Sequence, residues 1–344
     1  MKEGITFKFK FLDDDGNEAS FLSKKGYFDG NELTLDEATL PVETILRVDR
    51  RFDNLILQLL QEDGETGFVA LAIKKGPIRE LSIAINGVSS ARWAKLRKQA
   101  LAEEGKGESF KVTRCPDCKA TVDLTHMPQS PQVYCTYCET IHTLGQARPQ
   151  GEENLRLCDE CGFYAVPSYF TVFYFYFLLV IYGWNYGKRY MCHSCMRGNA
   201  WKMLFLNLPF LLGVPNALYQ LFRIYTGGDR QGRIFAGLDK ANHFAKTKKL
   251  DMAADYYDSI LRRINYGGGV HYSRGLGHFN AGQFEDAVAH LRKALADCGN
   301  YFPAYHLLIA TYEEMGNVQA VAELQKTYHA VEASEESVIP GEHD

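Results

Sequence analysis

The sequence predicts a multidomain α+β chain: a β-rich N-terminal domain, a cysteine-rich middle with an apolar hairpin segment, and an all-α C-terminal repeat. Three observations predict it. Ile5-Thr-Phe-Lys-Phe-Lys-Phe alternates apolar and polar residues, the period of a half-buried strand. Eight of the nine cysteines fall in four Cys-x-x-Cys pairs. The turn sequences Lys248-Lys-Leu, Gly282-Gln-Phe and Gly316-Asn-Val recur every 34 residues, a spacing typical of stacked helix pairs. At 344 residues the chain is long enough for two or three domains, and its net charge of −4 implies no strong field for nucleic acid.

Residues 1–105 form the expected β domain. Strands are predicted at Ile5–Phe11, Gly26–Phe28, Glu32–Leu35, Thr44–Asp49, Asn54–Leu60, Gly67–Lys74 and Glu80–Ile85, with turns at Asp13-Asp-Asp-Gly-Asn and Asp29-Gly30. A closing helix is predicted from Ser89, as its cap, to about Glu103, with Trp93, Leu96 and Leu101 on one face. Short strands closed by one amphipathic helix, with Tyr27-Phe-Asp-Gly-Asn-Glu-Leu-Thr-Leu and Leu40-Pro-Val-Glu-Thr-Ile, resemble bacterial pleckstrin-homology-like (PH-like) domains. The resemblance implies lipid or protein binding without choosing between them. Lys24-Lys25 and Arg50-Arg51 would be its basic candidates, and we read them as solvated turn charges. Met1-Lys-Glu-Gly runs straight into the alternating strand rather than an apolar segment, so no signal peptide is expected. In a reducing compartment, Cys-x-x-Cys pairs read as metal knuckles rather than disulfides.

Residues 112–145 carry Cys115-Pro-Asp-Cys118, then sixteen residues, then Cys135-Thr-Tyr-Cys138. Four thiolates presented by two tight turns suit a tetrahedral Zn²⁺. The segment resembles the zinc-ribbon family at Cys115, Cys118, Cys135 and Cys138. His126 and His142 could compete, but four thiolates saturate a structural ion. Residues 155–200 hold Cys158-Asp-Glu-Cys161 and Cys192-His-Ser-Cys195, separated by thirty largely apolar residues. Two readings of that insert stay open. A transmembrane helix over 163–186 has the length. A β-hairpin suits the aromatic and β-branched composition, and it alone lets Cys158, Cys161, Cys192 and Cys195 share one metal. We favour the hairpin, with its turn at Gly183-Trp-Asn-Tyr-Gly187. Two structural zinc ions are thus expected.

Residues 201–226 contain Met203–Phe222, twenty uncharged residues broken by Pro209, Gly213 and Pro215. Each arm is too short to span a bilayer, and basic residues flank both ends, so we expect a membrane-associated helical hairpin whose ends stay on the cytoplasmic face. The alternative is a buried helix pair. Trp201-Lys202, Leu206-Asn-Leu208, Leu212-Gly213 and Tyr219–Ile224 resemble a set of bacterial ribbon proteins, which implies membrane association.

Thr226–Gly232 reads as a flexible junction, and helical periodicity begins at Ile234. Ala241 and Gly275 precede the repeated turns by seven residues, and Ala253, Ala287 and Val321 follow them by five. Residues 234–330 resemble three tetratricopeptide (TPR) repeats. The family binds proteins or peptides in a concave groove lined by the first helix of each pair, which implies partner contacts at Asn242, Lys246, Tyr272 and Asn280. A packing platform or a homo-oligomer interface is the other use of such an array. Gly267-Gly-Gly reads as a linker, Cys298 as an inert thiol, and residues 331–344 as a disordered acidic tail.

No P-loop, Gly-x-Ser-x-Gly, His-Glu-x-x-His or dinucleotide fingerprint is present, and the histidines (His271, His278, His290, His306, His329) are scattered. A zinc hydrolase would need an open metal position that four cysteines do not leave. The sequence therefore favours a non-catalytic, cytoplasmic, membrane-associated scaffold that binds protein partners. The alternative is a soluble zinc-ribbon protein acting on nucleic acid or a nucleic-acid-processing complex, with aromatics available to stack on bases.

Overall fold

The computed structural model describes residues 4–13, 15–61, 63–125, 127–146, 152–178, 181–208, 213–226 and 231–336. The chain divides into two compact units. The first comprises residues 1–127, 135–138 and 329–344; the second comprises 128–134 and 139–328.

The first unit is built on one seven-stranded antiparallel sheet. Its strands are β1 (Ile5–Phe11), β2 (Lys24–Phe28), β3 (Glu32–Leu35), β4 (Ala38–Pro41), β5 (Ile45–Arg51), β6 (Asn54–Leu60) and β7 (Thr66–Lys75), in the order β4-β3-β2-β1-β7-β6-β5. The alternation in β1 puts Phe7 and Phe9 into a core with Leu33, Val48, Leu57 and Leu71. Helix α1 runs from Ile78 to Glu103, so Glu80–Ile85 is its first half and not a strand. Leu81 and Ile85 recur at helical spacing and bury together. A run of six residues is too short for periodicity to separate the two forms.

Ser89 is accordingly no cap. Its hydroxyl donates to the carbonyl of Ile45, Asn86 exchanges two 2.8 Å bonds with the backbone of Val48, and the Trp93 indole N–H donates to Ile45 at 3.1 Å. These buried polar side chains complete the hydrogen bonding of the edge strand β5 and leave it closed to other chains. The unit ends in a small ribbon, β8 (Val112–Arg114) paired with β9 (Thr121–Asp123).

The second unit opens with the two-stranded sheet of β10 (Gln132–Cys135) and β11 (Thr140–Thr143). A shorter pair follows, β12 (Arg156–Leu157) with β13 (Tyr164–Ala165). Next comes the hairpin of β14 (Ser168–Leu178) and β15 (Ile181–Met191), in register from Ser168↔Met191 to Leu178↔Ile181. The aromatic insert is therefore β-structure. Residues 179–180, between the two strands, lie outside the described residues, and Gly183–Gly187, the expected turn, lies within β15. The pairing sets this: Gly183 sits opposite Tyr176 and Gly187 opposite Val172.

Helix α2 (His193–Asn207) starts inside the last cysteine knuckle rather than at 201. It packs with α3 (Val214–Thr226) and the base of β14 around Phe170, Met196, Met203, Leu221 and Ile224. Pro209 and Leu212 of the expected bend lie outside the described residues, as do 227–230 of the expected junction. Six helices complete the unit: α4 (Leu238–Lys246), α5 (Leu250–Leu261), α6 (Gly268–Asn280), α7 (Phe284–Asp297), α8 (Phe302–Glu314) and α9 (Val318–Glu336). They fit a TPR-like solenoid.

The 34-residue period is visible in the backbone. Lys248, Gly282 and Gly316 all have φ between 60° and 77°. The next residue of each donates back to Phe244, His278 and Tyr312 respectively, at 2.9 Å every time. This is the left-handed cap that ends a helix and starts its partner. Gly267-Gly-Gly is not a linker: Gly268 and Gly269 form the first turn of α6. A Cβ on Gly269 would fall 2.5 Å from the Tyr164 ring, and one on Gly268 would fall 3.0 Å from Gln132 Oε1, so close packing excludes side chains there. Residues 331–336 of the expected disordered tail lie in α9, and 337–344 lie outside the described residues.

Candidate metal centres

Three of the four cysteine knuckles share one backbone design. A residue in the left-handed region follows the second cysteine: Lys119 (φ 62°), Glu139 (φ 60°) and Gly162 (φ 71°). In the first and third knuckles the amide of this residue donates back to the leading cysteine, Lys119 to Cys115 at 3.1 Å and Gly162 to Cys158 at 2.9 Å. The leading cysteine's own amide reaches over the turn, Cys115 to Ala120 at 2.9 Å and Cys158 to Phe163 at 3.0 Å. The chain thus wraps so that both sulfurs point the same way. The fourth knuckle differs, because Cys192 caps α2 and Cys195 lies in the helix's first turn.

Each quartet brings its four sulfurs within 4.8 Å of one another. The separation is 3.6 Å for Cys115–Cys138, 3.5 Å for Cys118–Cys135 and 3.8 Å for Cys161–Cys192. A disulfide needs about 2.05 Å. A tetrahedral ion with S–metal bonds of about 2.3 Å puts sulfurs about 3.8 Å apart, so both quartets fit such an ion. Five of the eight ligands are buried, Cys135 within β10 and Cys192 at the junction of β15 and α2 among them.

Without a cation the thiols of one quartet cannot ionise together. Hydrogen bonds from its neighbours pull Cys115 far below the ordinary thiol range, and the same neighbours push Cys135 far above it; Cys158 and Cys192 split the same way. A divalent cation removes that conflict by stabilising every thiolate at once. His142 is not among the clustered groups, and His126 lies outside the described residues.

No family model and no curated protein matches the chain. Among solved structures it is similar to one described as "MamA R50E mutant", at 16% identity and a TM-score of 0.25, over 36% of this chain and 87% of that one. A likeness of this strength carries no argument about fold or function, and the site has to be read from its own geometry.

The surroundings of the quartets differ. At the first, Arg47 of β5 donates to the carbonyl of Thr136 at 2.6 Å and lies 5.7 Å over the Tyr137 ring, while Ser90 of α1 accepts from the Thr121 amide at 2.9 Å. At the second, the Lys246 ammonium lies 3.4 Å from Cys195 Sγ and 3.7 Å from Cys192 Sγ. Burial works against the Lys246 charge, but the neighbouring thiolates outweigh it and hold its pKa above the ordinary lysine value. A dianionic metal–tetrathiolate would thus carry one built-in counter-charge. The Cys192 amide adds a 3.2 Å bond to Cys158 Sγ.

The expected partner residues have other occupations. Asn242 is fully buried; its amide donates to the Tyr164 carbonyl at 2.9 Å and its oxygen accepts from Tyr257 at 2.8 Å. Tyr272 is buried and stacks edge-on with Tyr301 at 5.3 Å. Of the four, Asn280 alone is fully exposed. Ser273 accepts from the Tyr164 amide at 2.9 Å, and Asn300 exchanges two 2.8 Å bonds with the backbone of Tyr134. Helices α4 and α6, from which the resemblance drew its partner contacts, therefore hold strands of the chain itself: β13 through Asn242 and Ser273, and β10 through Gly268. Sequence reasoning missed Ser273, Asn300 and Gln132, whose side chain accepts from Gly268 at 2.9 Å. Ser273 could have been found as a polar residue on an otherwise buried helix face, whereas Gln132 begins a strand and Asn300 lies in the loop before α8, where nothing local marks them.

Proposed function

We propose that this chain is a non-catalytic scaffold that docks on the cytoplasmic face of a membrane through α2 and α3, with two structural zinc ions holding its middle together. One observation carries the reading. On α3, Ala217, Gln220, Leu221 and Ile224 pack inward, yet the opposite face is also apolar: Tyr219 is 60% exposed and Phe222 67%. On α2, Phe205 is 66% exposed beside Trp201 and Leu206. A helix pair that is apolar on both faces needs a second cover, and aromatic and leucine side chains suit the lipid interface. No helix among the described residues is long and apolar enough to cross a membrane, so the docking proposed is interfacial.

The sheet order with one closing helix supports the PH-like reading of the first unit, and the recurring left-handed caps support the TPR reading of α4–α9. Protein partners would meet the helical array on surfaces other than the occupied face, such as the end of α6 that carries Asn280. Cysteine ligands alone, at tetrahedral spacing, favour zinc over harder cations.

The test is membrane fractionation of the full chain, with alkaline and high-salt washes, beside a Phe205→Ser/Phe222→Ser variant. The full chain is expected in the membrane fraction after the salt wash, and the variant in the supernatant. A full chain that is soluble from the start contradicts the membrane reading and brings forward the protein-binding and nucleic-acid readings.

A further inference from the structure

The second unit contains a cavity of about 390 Å³ that neither the metal centre nor the apolar face explains. Its volume lies in the range of small-molecule sites. The first turn of α2 forms one wall and the start of α4 another. Three cations from three helices line it: Arg197 of α2, Arg223 of α3 and Lys240 of α4. One carboxylate, Asp239, accompanies them. Arg223 is held in place by its bond to the Tyr169 carbonyl, and Lys240 lies 5.9 Å over the Tyr256 ring. None of the three cations makes an ion pair among the described residues.

The helix starts add positive potential. Both α2 and α4 begin at this cavity; neither N-cap residue bonds its helix through its own side chain, and at α4 the Gln231 side chain accepts from the Asp239 amide at 3.5 Å. The helix dipoles and first-turn amides therefore favour an anion there. His243, on the cavity wall, is held below its ordinary pKa by burial first and then by Arg197, Lys246 and Lys249. No cysteine lines the cavity, and Lys246 is already engaged with the quartet's sulfurs. The hydroxyls of Ser168 and Ser194 supply neutral donors, while Met196, Ile224 and Phe244 form an apolar side.

We infer that this cavity binds a phosphate ester with an apolar substituent. The phosphate would sit among Arg197, Arg223 and Lys240, and the substituent against Met196, Ile224 and Phe244. Three cations from three helices lining one cavity suit a dianion with several acceptor oxygens better than a monoanionic carboxylate. The ester has two sources, a soluble metabolite or a phospholipid headgroup. The inference does not rest on membrane docking, since a soluble ester satisfies it.

The test is calorimetric titration of the full-length, zinc-loaded chain with hexyl phosphate, inorganic phosphate and hexanol. Hexyl phosphate is expected to bind more tightly than inorganic phosphate, and hexanol not to bind. Arg197→Gln and Lys240→Gln should each weaken hexyl phosphate about ten-fold, the loss of one charge-assisted contact. Lys293→Gln, on α7 and outside the lining, should leave it unchanged. Circular dichroism and zinc content establish that each variant is folded. A folded parent chain that binds no hexyl phosphate overturns the inference, as does binding that both cavity substitutions leave intact. Sedimentation with phosphatidylcholine vesicles, with and without phosphatidic acid, then separates the sources. Phosphatidic acid-dependent binding lost in Arg197→Gln supports the site with a lipid headgroup as its ligand. Hexyl phosphate binding without that dependence supports the site with a soluble ester.

Discussion

The two cysteine quartets use the same four ligands and the same sulfur spacing, yet they are supported differently. The first is bound into a β-sheet unit by contacts to its backbone and a ring rather than to its sulfurs: the Ser90 hydroxyl on the Thr121 amide, and Arg47 on the Thr136 carbonyl and the Tyr137 ring. The second draws its last two ligands from a helix start, and an ammonium group lies on its sulfurs. Strand β13, which follows its first knuckle, is seated on helices α4 and α6 through Tyr164. The lesson is that ligand spacing specifies the ion, while the surroundings specify what the ion holds together. The first quartet closes a small ribbon on a sheet. The second ties a hairpin and a helix start to a helical repeat.

The largest effect should come from the ligands themselves. Cys135→Ser is expected to unfold the first ribbon and Cys192→Ser the second, because structural zinc contributes on the order of 10 kcal/mol to folding. Proteolysis should cut near 115–138 in the first variant and near 158–195 in the second. Cutting at both places in either variant would break the claim that the centres are separate. Next is Gly269→Val, which drives a side chain into the Tyr164 ring, whose backbone Ser273 and Asn242 hold fixed. We expect a loss of about 1–3 kcal/mol in a denaturant titration, with the first unit unaffected.

Lys246→Met removes the counter-charge at the second quartet only. A chelator competition should show one of two metal ions held about 10- to 100-fold more weakly; equal weakening of both would contradict the difference drawn here. Arg47→Met is the matching change at the first quartet and should cost about 1 kcal/mol, with little change in metal affinity. The smallest effect is a gain. Lys248 occupies the left-handed position that Gly282 and Gly316 fill in the other repeats, so Lys248→Gly should stabilise the helical array by about 0.5–1 kcal/mol. Thermal unfolding would read this as a rise of a few degrees.

Much of this was legible in the sequence. Cysteine spacing gave both quartets, because a Cys-x-x-Cys turn is a local device. The 34-residue period gave the helix pairs, because each turn repeats the same backbone bond. What was not legible depended on contacts distant in sequence. Ser89 reads as a helix cap, and its bond to Ile45 on β5 shows only when that strand is placed beside it. Gly267-Gly-Gly read as a linker because nothing local shows that Tyr164 and Gln132 press on it. Gly183 and Gly187 look like turn residues, but register along the hairpin pairs them with Tyr176 and Val172 inside the ladder. The implied groove residues Asn242 and Tyr272 are buried in the chain's own packing, Asn242 on the Tyr164 carbonyl and Tyr272 against Tyr301, which nothing in the 34-residue period shows.

The most direct measurement is the metal content of the full chain by native mass spectrometry, alongside Cys135→Ser and Cys192→Ser. The account predicts two zinc ions in the parent chain and one in each variant. A parent chain with one ion or none, or a single substitution that releases both ions, would contradict two separate tetrahedral centres.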